Sequence, residues 1–304
     1  MTEVSGRELT TEEKRTVVLR INREVLNGGS METADELIHP DLIDHNPFPG
    51  LEPGREGFKQ AVQALRKGLP DLVSRPLNFL VDGDMVMDHS ESTATHTNDL
   101  LGIPATGLPV RVSTIVISRI GPEGTIVERW AQFNLLELLQ QLGVVPGGDA
   151  LQPWAPVPDF APGRATTPEE NKAVIARHIE EIWNDGNYDA ADELFHPQAV
   201  APYAPQLPDG PDGCKVVAEV FRKAFPDYHM SIEELIGEGD LVAFRLRQTG
   251  THQGELFGIA PTGRPVDFEE LALVRVVDGR MAVSWFETDL MTMMQQLGVG
   301  PPSD

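Results

Sequence analysis

Thr251-His252-Gln253-Gly254-Glu255-Leu256-Phe257-Gly258-Ile259-Ala260-Pro261-Thr262-Gly263-Arg264-Pro265-Val266 occurs twice in this chain. The other copy is Thr95-His96-Thr97-Asn98-Asp99-Leu100-Leu101-Gly102-Ile103-Pro104-Ala105-Thr106-Gly107-Leu108-Pro109-Val110, aligned without a gap at an offset of 156 positions. Thr-His, the acid at Asp99/Glu255, Leu-x-Gly-Ile, Thr-Gly and Pro-Val all recur. Solenoid repeats have periods of roughly 20–50 residues. A period this long signals two copies of a whole domain, expected at residues 8–145 and 167–300. The Pro/Gly-rich stretch 146–166 reads as the linker. Trp154, Val157 and Phe160 are large for a free linker, so part of it should lie against a domain surface.

Outward from the motif, both copies read alike. Thr10-Thr11-Glu12-Glu13 and Thr167-Pro168-Glu169-Glu170 are capping boxes that open a helix. Apolar residues follow at helical spacing until Asn27-Gly28-Gly29 and Asn184-Asp185-Gly186. Short helices over Met31 to Leu37 and Tyr188 to Phe195 are expected to end at His39-Pro40 and His196-Pro197. Short extended pieces near Ile43 to Asn46 and Val200 to Tyr203 come next. Third helices cover Arg55 to Gly68 and Gly213 to Ala224. Four strand-like runs per copy complete the pattern, the second copy turning at Asp278-Gly279, a hairpin signal. Each copy closes on an apolar helix ending Gln-Gln-Leu-Gly-Val. Helices and strands are segregated, which makes the fold α+β. The expectation is two tandem cone-shaped α+β barrels, each a curved antiparallel sheet wrapped on helices, related by a pseudo-twofold. The open end of such a cone can hold a small molecule.

Composition narrows the partners. The 304 residues suit two domains that each bury a core. With 47 acids against 24 bases the formal charge is −23, which argues against nucleic acid and anionic membrane. A lone cysteine, Cys214, excludes an internal disulfide and reads as an inert thiol in a reducing compartment. No Cys/His spacing resembles a zinc site. Met1 to Thr10 lacks an apolar segment, so a cytoplasmic location is expected.

Several motifs together resemble the SnoaL-like polyketide cyclase family, within the nuclear transport factor two-like superfamily. They are Trp183-Asn184-Asp185-Gly186, Phe225-Pro226-Asp227, Gly250-Thr251-His252, Phe257 through Gly263, Arg275, Asp278-Gly279, Trp285, Asp289 and Gln296-Leu297-Gly298. They span nearly all of Glu170 to Val299. The first copy matches more loosely: Pro and Ala are exchanged near Thr106-Gly107, and Asn134 stands where Asp289 is expected. The resemblance implies chemistry without cofactor or metal, in which a carboxylate serves as acid and base while the substrate enolises and closes a ring by aldol attack. Single-domain relatives pair through the sheet, so the resemblance implies an intramolecular pseudo-dimer, a monomer or weak homodimer in solution. The fold also hosts isomerases, epoxide-opening enzymes and binding proteins.

Candidate site residues follow from this register. Asp289 falls where the family's acid/base aspartate is expected, but it also precedes Leu290-Met291-Thr292 as a helix N-cap would. His252 and His96 suit proton relay, or simply shape the turn. Of the adjacent Glu269 and Glu270 one should point inward; with Asp289 it would form the carboxylate pair that epoxide opening needs. Period-two alternation puts Val242, Phe244, Leu246 and Gln248 on the face of His252, and Val86, Asp88, Ser90 and Ser92 on that of His96. If this face lines the cavities, the first is polar and the second mostly apolar. Asp88 and His96, with His45 nearby, would then be the first cavity's acid/base set. Tyr203 is a candidate hydrogen-bond donor to a carbonyl, and Trp130 and Trp285 are packing or rim residues. Arg245 and Arg247 share a face and are expected to pair with acids across the sheet. The expected function is a cyclase or isomerase of a small apolar carbonyl compound, with its chemistry in the second domain. The alternatives are an epoxide hydrolase or ether cyclase, and a non-catalytic binder of small hydrophobic molecules.

Overall fold

The computed structural model describes residues 7–48, 50–100, 102–145, 154–161 and 163–299. Leu101 of the first motif copy, the linker residues 146–153 and 162, and Gly300 lie outside these. The chain divides into two compact units at Gln152/Pro153, inside the expected linker.

In the first unit the chain runs α1 (Thr11–Arg20), a π-helical turn (Ile21–Asn27), α2 (Met31–Leu37), β1 (Ile38–Asp44) and α3 (Arg55–Gly68). Then come β2 (Val73–Asp82), β3 (Met85–Thr95), β4 (Pro109–Ile120), β5 (Ile126–Phe133) and α4 (Leu135–Gln141). The second unit repeats this as α5 (Pro168–Arg177), a π turn (His178–Asn184), a 3₁₀ turn (Tyr188–Ala190), α6 (Ala191–Leu194), β6 (Phe195–Val200) and α7 (Pro211–Ala224). It continues with β7 (His229–Glu238), β8 (Leu241–Thr251), β9 (Pro265–Val277), β10 (Arg280–Thr288) and α8 (Leu290–Leu297). Both capping boxes form: the Thr10 and Thr167 hydroxyls accept from Glu13 N and Glu170 N, each at 3.2 Å, and the glutamates reach back to the cap amides at 2.8 Å.

The α+β class holds, with two corrections. Each sheet is mixed, ordered β1-β5-β4-β3-β2 and β6-β10-β9-β8-β7, and its first strand runs parallel to its last. A parallel neighbour is possible because a helix and three strands separate the two, ample chain for a crossover. The ladders leave two edges in each sheet, so neither closes into a barrel. His39-Pro40 and His196-Pro197 lie within β1 and β6 and do not stop the preceding helices there. Proline is tolerated at this place because an edge strand has donors facing away from the ladder.

The units differ in how their interiors are filled. In the second, one continuous apolar cluster joins α5, α7, the sheet and α8, from Ile175 to Leu297. Its centre is aromatic: Tyr228 lies 5.5 Å from Phe221, and 5.9 Å from both Phe225 and Trp183. In the first, a deep cluster around Val18, Phe58 and Val62 is separate from an outer one around Leu69, Leu100 and Leu138. Linker residues pack on the second unit: Trp154 lies 4.4 Å from Tyr203 and Phe160 5.0 Å from His196. Val157 is exposed. No helix among the described residues is long and apolar enough to cross a membrane.

Candidate active site

A cavity of about 200 Å³ opens between the two apolar clusters of the first unit. The concave faces of β3, β4 and β5 supply one wall; α1, its π turn and α3 supply the other. The alternation of β3 decides what enters it. Asp88 and Ser92 line the cavity, whereas Met87 and His89 take the other face.

Asp88 is buried near the middle of β3, and Ser90 Oγ donates to its Oδ1 at 2.8 Å. Burial pushes this carboxyl up to about 7, against the opposing pull of the Ser90 hydrogen bond. The π turn brings Asn22 into the same group, where its Nδ2 donates to Ser74 Oγ at 2.9 Å and Ser90 Oγ at 3.4 Å. Asn27 holds Ser74 in place through its backbone, accepting from Ser74 N at 2.7 Å and donating to Ser74 O at 2.8 Å. A π turn shifts side chains out of normal helical register and is often found at functional sites.

A second polar group enters from the edge strand. Arg129 Nη1 donates to Asp44 Oδ2 at 3.1 Å, and the Asp44 side chain is only 2% exposed. The guanidinium lies 5.0 Å from the Phe58 ring centroid. Both residues line the cavity, and Asp44 Oδ1 is buried without a hydrogen-bond partner.

His96 and His252 are not part of any such group. Both are fully buried, and Nδ1 lies 3.0 Å and 3.1 Å from the hydroxyls of Thr106 and Thr262. The backbone adds His96 N to Leu108 O, and His252 N to Arg264 O, each at 2.9 Å. The preceding threonines are held equally: Asp71 accepts from Thr95 N and Oγ1 at 2.8 Å, and Asp227 from Thr251 N and Oγ1 at 2.7 Å. The Thr-His-…-Thr-Gly motif and the Pro-Asp turn thus staple one loop, and burial lowers the pKa of His252. His45 is not among the cavity-lining residues. It stacks on Trp130 at 4.7 Å and bonds Glu128 at 2.8 Å. Trp130 and Trp285 are buried on strand positions opposite those that face the interior.

Asp289 caps α8: Thr292 N donates to Oδ1 at 3.0 Å and Thr292 Oγ1 to Oδ2 at 2.6 Å. Asn134 caps α4 in the same way, accepting from Glu137 N at 3.0 Å. Of the two adjacent glutamates, Glu270 turns inward beside Phe268 and Ala272. Glu269 pairs with Arg245 at 3.2 Å. Arg247 pairs with Asp267 at 2.8 Å. Glu270 accepts from Thr288 Oγ1 at 2.6 Å and Gln248 Nε2 at 3.2 Å, while Tyr228 donates to Gln248. Burial raises the Glu270 carboxyl and the Tyr228 phenol. Phe244 is buried in the aromatic core at the position of Asp88, and Tyr203 is half-buried under Trp154. Burial pushes the Cys214 thiol up to about 12, which leaves it un-ionised near neutral pH. Among the described residues no three His, Cys, Asp or Glu side chains converge as a metal site would need.

Asp44, Arg129, Asn22 and Ser74 were not singled out as site residues in the sequence. Their counterparts in the second repeat are Ala201, Ser284, Ile179 and Met230. The same repeat alignment that sets Asp88 against Phe244 carries the signal for these four, in the helix and in the edge strand.

Comparison with known proteins follows the same register. The family model described as SnoaL-like polyketide cyclase matches residues 16–142 and again 173–297. The aklanonic acid methyl ester cyclase DnrD of Streptomyces peucetius is 30% identical over 129 residues, 41% of this chain and 88% of that protein. The nogalonic acid methyl ester cyclase of Streptomyces nogalater is 30% identical over 125 residues, 40% of this chain and 93% of that protein. Among solved structures, TsrD from Streptomyces laurentii is similar at 27% identity and a TM-score of 0.42, covering 45% of this chain and 100% of that one.

Proposed function

The chain belongs to the SnoaL-like polyketide cyclase family, and from that premise we propose that it closes a ring in an apolar polycarbonyl compound by acid/base catalysis at Asp88. The ionised carboxylate takes a proton from the carbon next to a carbonyl. The enolate carbon bonds to a second carbonyl carbon of the same molecule, whose C=O electron pair moves onto oxygen. Asp88 returns the proton to that alkoxide. Nothing leaves, so product and substrate are isomers.

One observation carries this reading: a buried carboxyl, raised to about 7, on the wall of an apolar cavity. At that value both protonation states are populated near neutral pH, and a positioned group of this kind contributes about 10²–10⁴-fold to rate. The two catalytic carboxylate candidates of the second repeat are less free. Asp289 spends both oxygens on Thr292, and Glu270 is bonded to Thr288 and Gln248 within the aromatic core.

The test uses aklanonic and nogalonic acid methyl esters, the compounds named for the relatives. Asp88→Asn is expected to lower kcat by about 10²-fold or more, and Asp289→Asn, which keeps the cap, to change it by less than about threefold. The reverse ranking would move the chemistry to the second repeat. A wild-type chain that binds these esters without converting them would favour the binding-protein alternative.

A second reading rests on Asp44. It lines the cavity with Asp88, so two carboxylates in different surroundings share one space. Such a pair suits opening of an epoxide by a hydroxyl of the same molecule, with Asp88 the acid and Asp44 the base. Formation of a cyclic ether from a hydroxy-epoxide, lost in Asp44→Asn and Asp88→Asn alike, would establish it.

A further inference from the structure

We propose that Asp44, fixed by Arg129, is a hydroxyl-recognition subsite, and that the molecule bound in the first-unit cavity presents an alcohol or phenol O–H to Asp44 Oδ1. This rests on the cavity being the functional site, but not on which reaction occurs there.

Four observations converge. Asp44 Oδ1 is buried and lacks a partner, although its twin oxygen is bonded to Arg129. Buried polar atoms are normally satisfied, and one left open on the wall of a cavity points to a ligand there. The acceptor is also held still: Arg129 bonds Oδ2 and is itself placed over Phe58, so Oδ1 has one direction to offer. An ion-paired carboxylate can only accept, so its partner must donate a hydrogen bond, which a ketone, ether or ester cannot do. The surrounding wall, with Leu42, Phe48, Phe58 and Val62, takes the apolar remainder of the molecule.

The fold does not need the pair. At the same two places the second repeat carries Ala201 and Ser284, and its β6–β10 ladder still forms through Phe195–Met281 and Val200–Val283, ending one pair short of the position that Asp44 and Arg129 hold. An ion pair dispensable for the architecture and open on one oxygen fits recognition better than scaffolding.

Binding of 2-naphthol and of 2-methoxynaphthalene, its methyl ether, tests this on the full chain by calorimetry. The two probes share an apolar body and differ in the hydroxyl donor. Wild type is expected to bind 2-naphthol at least about tenfold more tightly than the ether. In Asp44→Asn the two affinities should fall within about threefold of each other, the ether's being unchanged, because the charged acceptor is gone. The double variant D44A/R129S copies the second repeat, guards against loss of folding, and should behave in the same way. Val62→Trp, which fills the cavity, should abolish binding of both probes. Equal binding of the two probes by wild type, or a preference that survives both Asp44 variants, overturns the hydroxyl subsite while leaving the cavity and Asp88 standing. Binding that survives Val62→Trp overturns the cavity itself.

Discussion

Asp88 and Phe244 hold the same position in two copies of one fold, and the difference between them changes what each interior can do. Phe244 adds to an aromatic core; Asp88 places a proton donor and acceptor in a cavity. Keeping a carboxyl buried has a consequence for stability that can be measured. The folded protein keeps Asp88 protonated up to about 7, whereas the unfolded chain ionises it near 3.8. Between those values the native state binds the extra proton. The stability this supplies is therefore complete only below 3.8 and is lost as the pH rises through about 7. The rise corresponds to at most roughly 4 kcal/mol. Asp88→Asn cannot ionise, so its urea midpoint should exceed the wild type's at pH 8 and approach it as the pH falls below 3.8. A wild-type midpoint that does not fall relative to the variant over this range would contradict a buried, neutral acid.

At the level of elements, the repeated motif and the π turn have separate tasks. The Thr-His loop is built identically in both units, down to the contacts of Asp71 and Asp227. Each histidine bonds a threonine hydroxyl of its own loop, and His252→Ala should cost about 1–3 kcal/mol through lost hydrogen bonds and packing. Thermal unfolding measures that loss; turnover per folded molecule should stay within about threefold. The π turn differs between the units. In the first it delivers Asn22 to Ser74 and Ser90, and so orients the Ser90 hydroxyl, which bonds Asp88. That hydrogen bond lowers the Asp88 pKa, so Ser90→Ala should raise it further. If the ionised form starts the reaction, kcat/KM rises with pH through the Asp88 pKa and then levels off. In Ser90→Ala that rise should shift to higher pH. An unmoved profile would detach Ser90 from the acid/base group.

For the molecule as a whole, the first unit holds a cavity between two apolar clusters, and the second holds one continuous cluster joining its helices and sheet. Titration with 2-naphthol should accordingly saturate at one equivalent per chain, and two equivalents of like affinity would show that the second interior also opens. Much of this was legible in the sequence. The offset repeat, the paired capping boxes and the Asp278-Gly279 hairpin depend on local pattern, so the α+β class and the two repeats could be read from them, while the edge strands begin earlier, at Ile38 and Phe195, than the expected extended pieces. The contrast of Asp88 with Phe244 was legible too, because the repeat aligns them, but alternation alone did not say which face of β3 turns inward. The mixed sheet was not, since strand direction beside a distant partner leaves no local mark. Nor was the pair of bonds that Asp289 makes to Thr292, because one residue type suits a cap and a base equally until its neighbours are placed. The grouping of Asn22, Ser74, Ser90 and Asp88, and the pairing of Asp44 with Arg129, joined residues as far as 85 positions apart. The sequence by itself determined which side chains each repeat has to offer and which strand faces they share. Only the tertiary structure decided which of them meet, because burial, hydrogen-bond partners and the cavity between two separate clusters are set by packing across elements, where neither period nor spacing reaches.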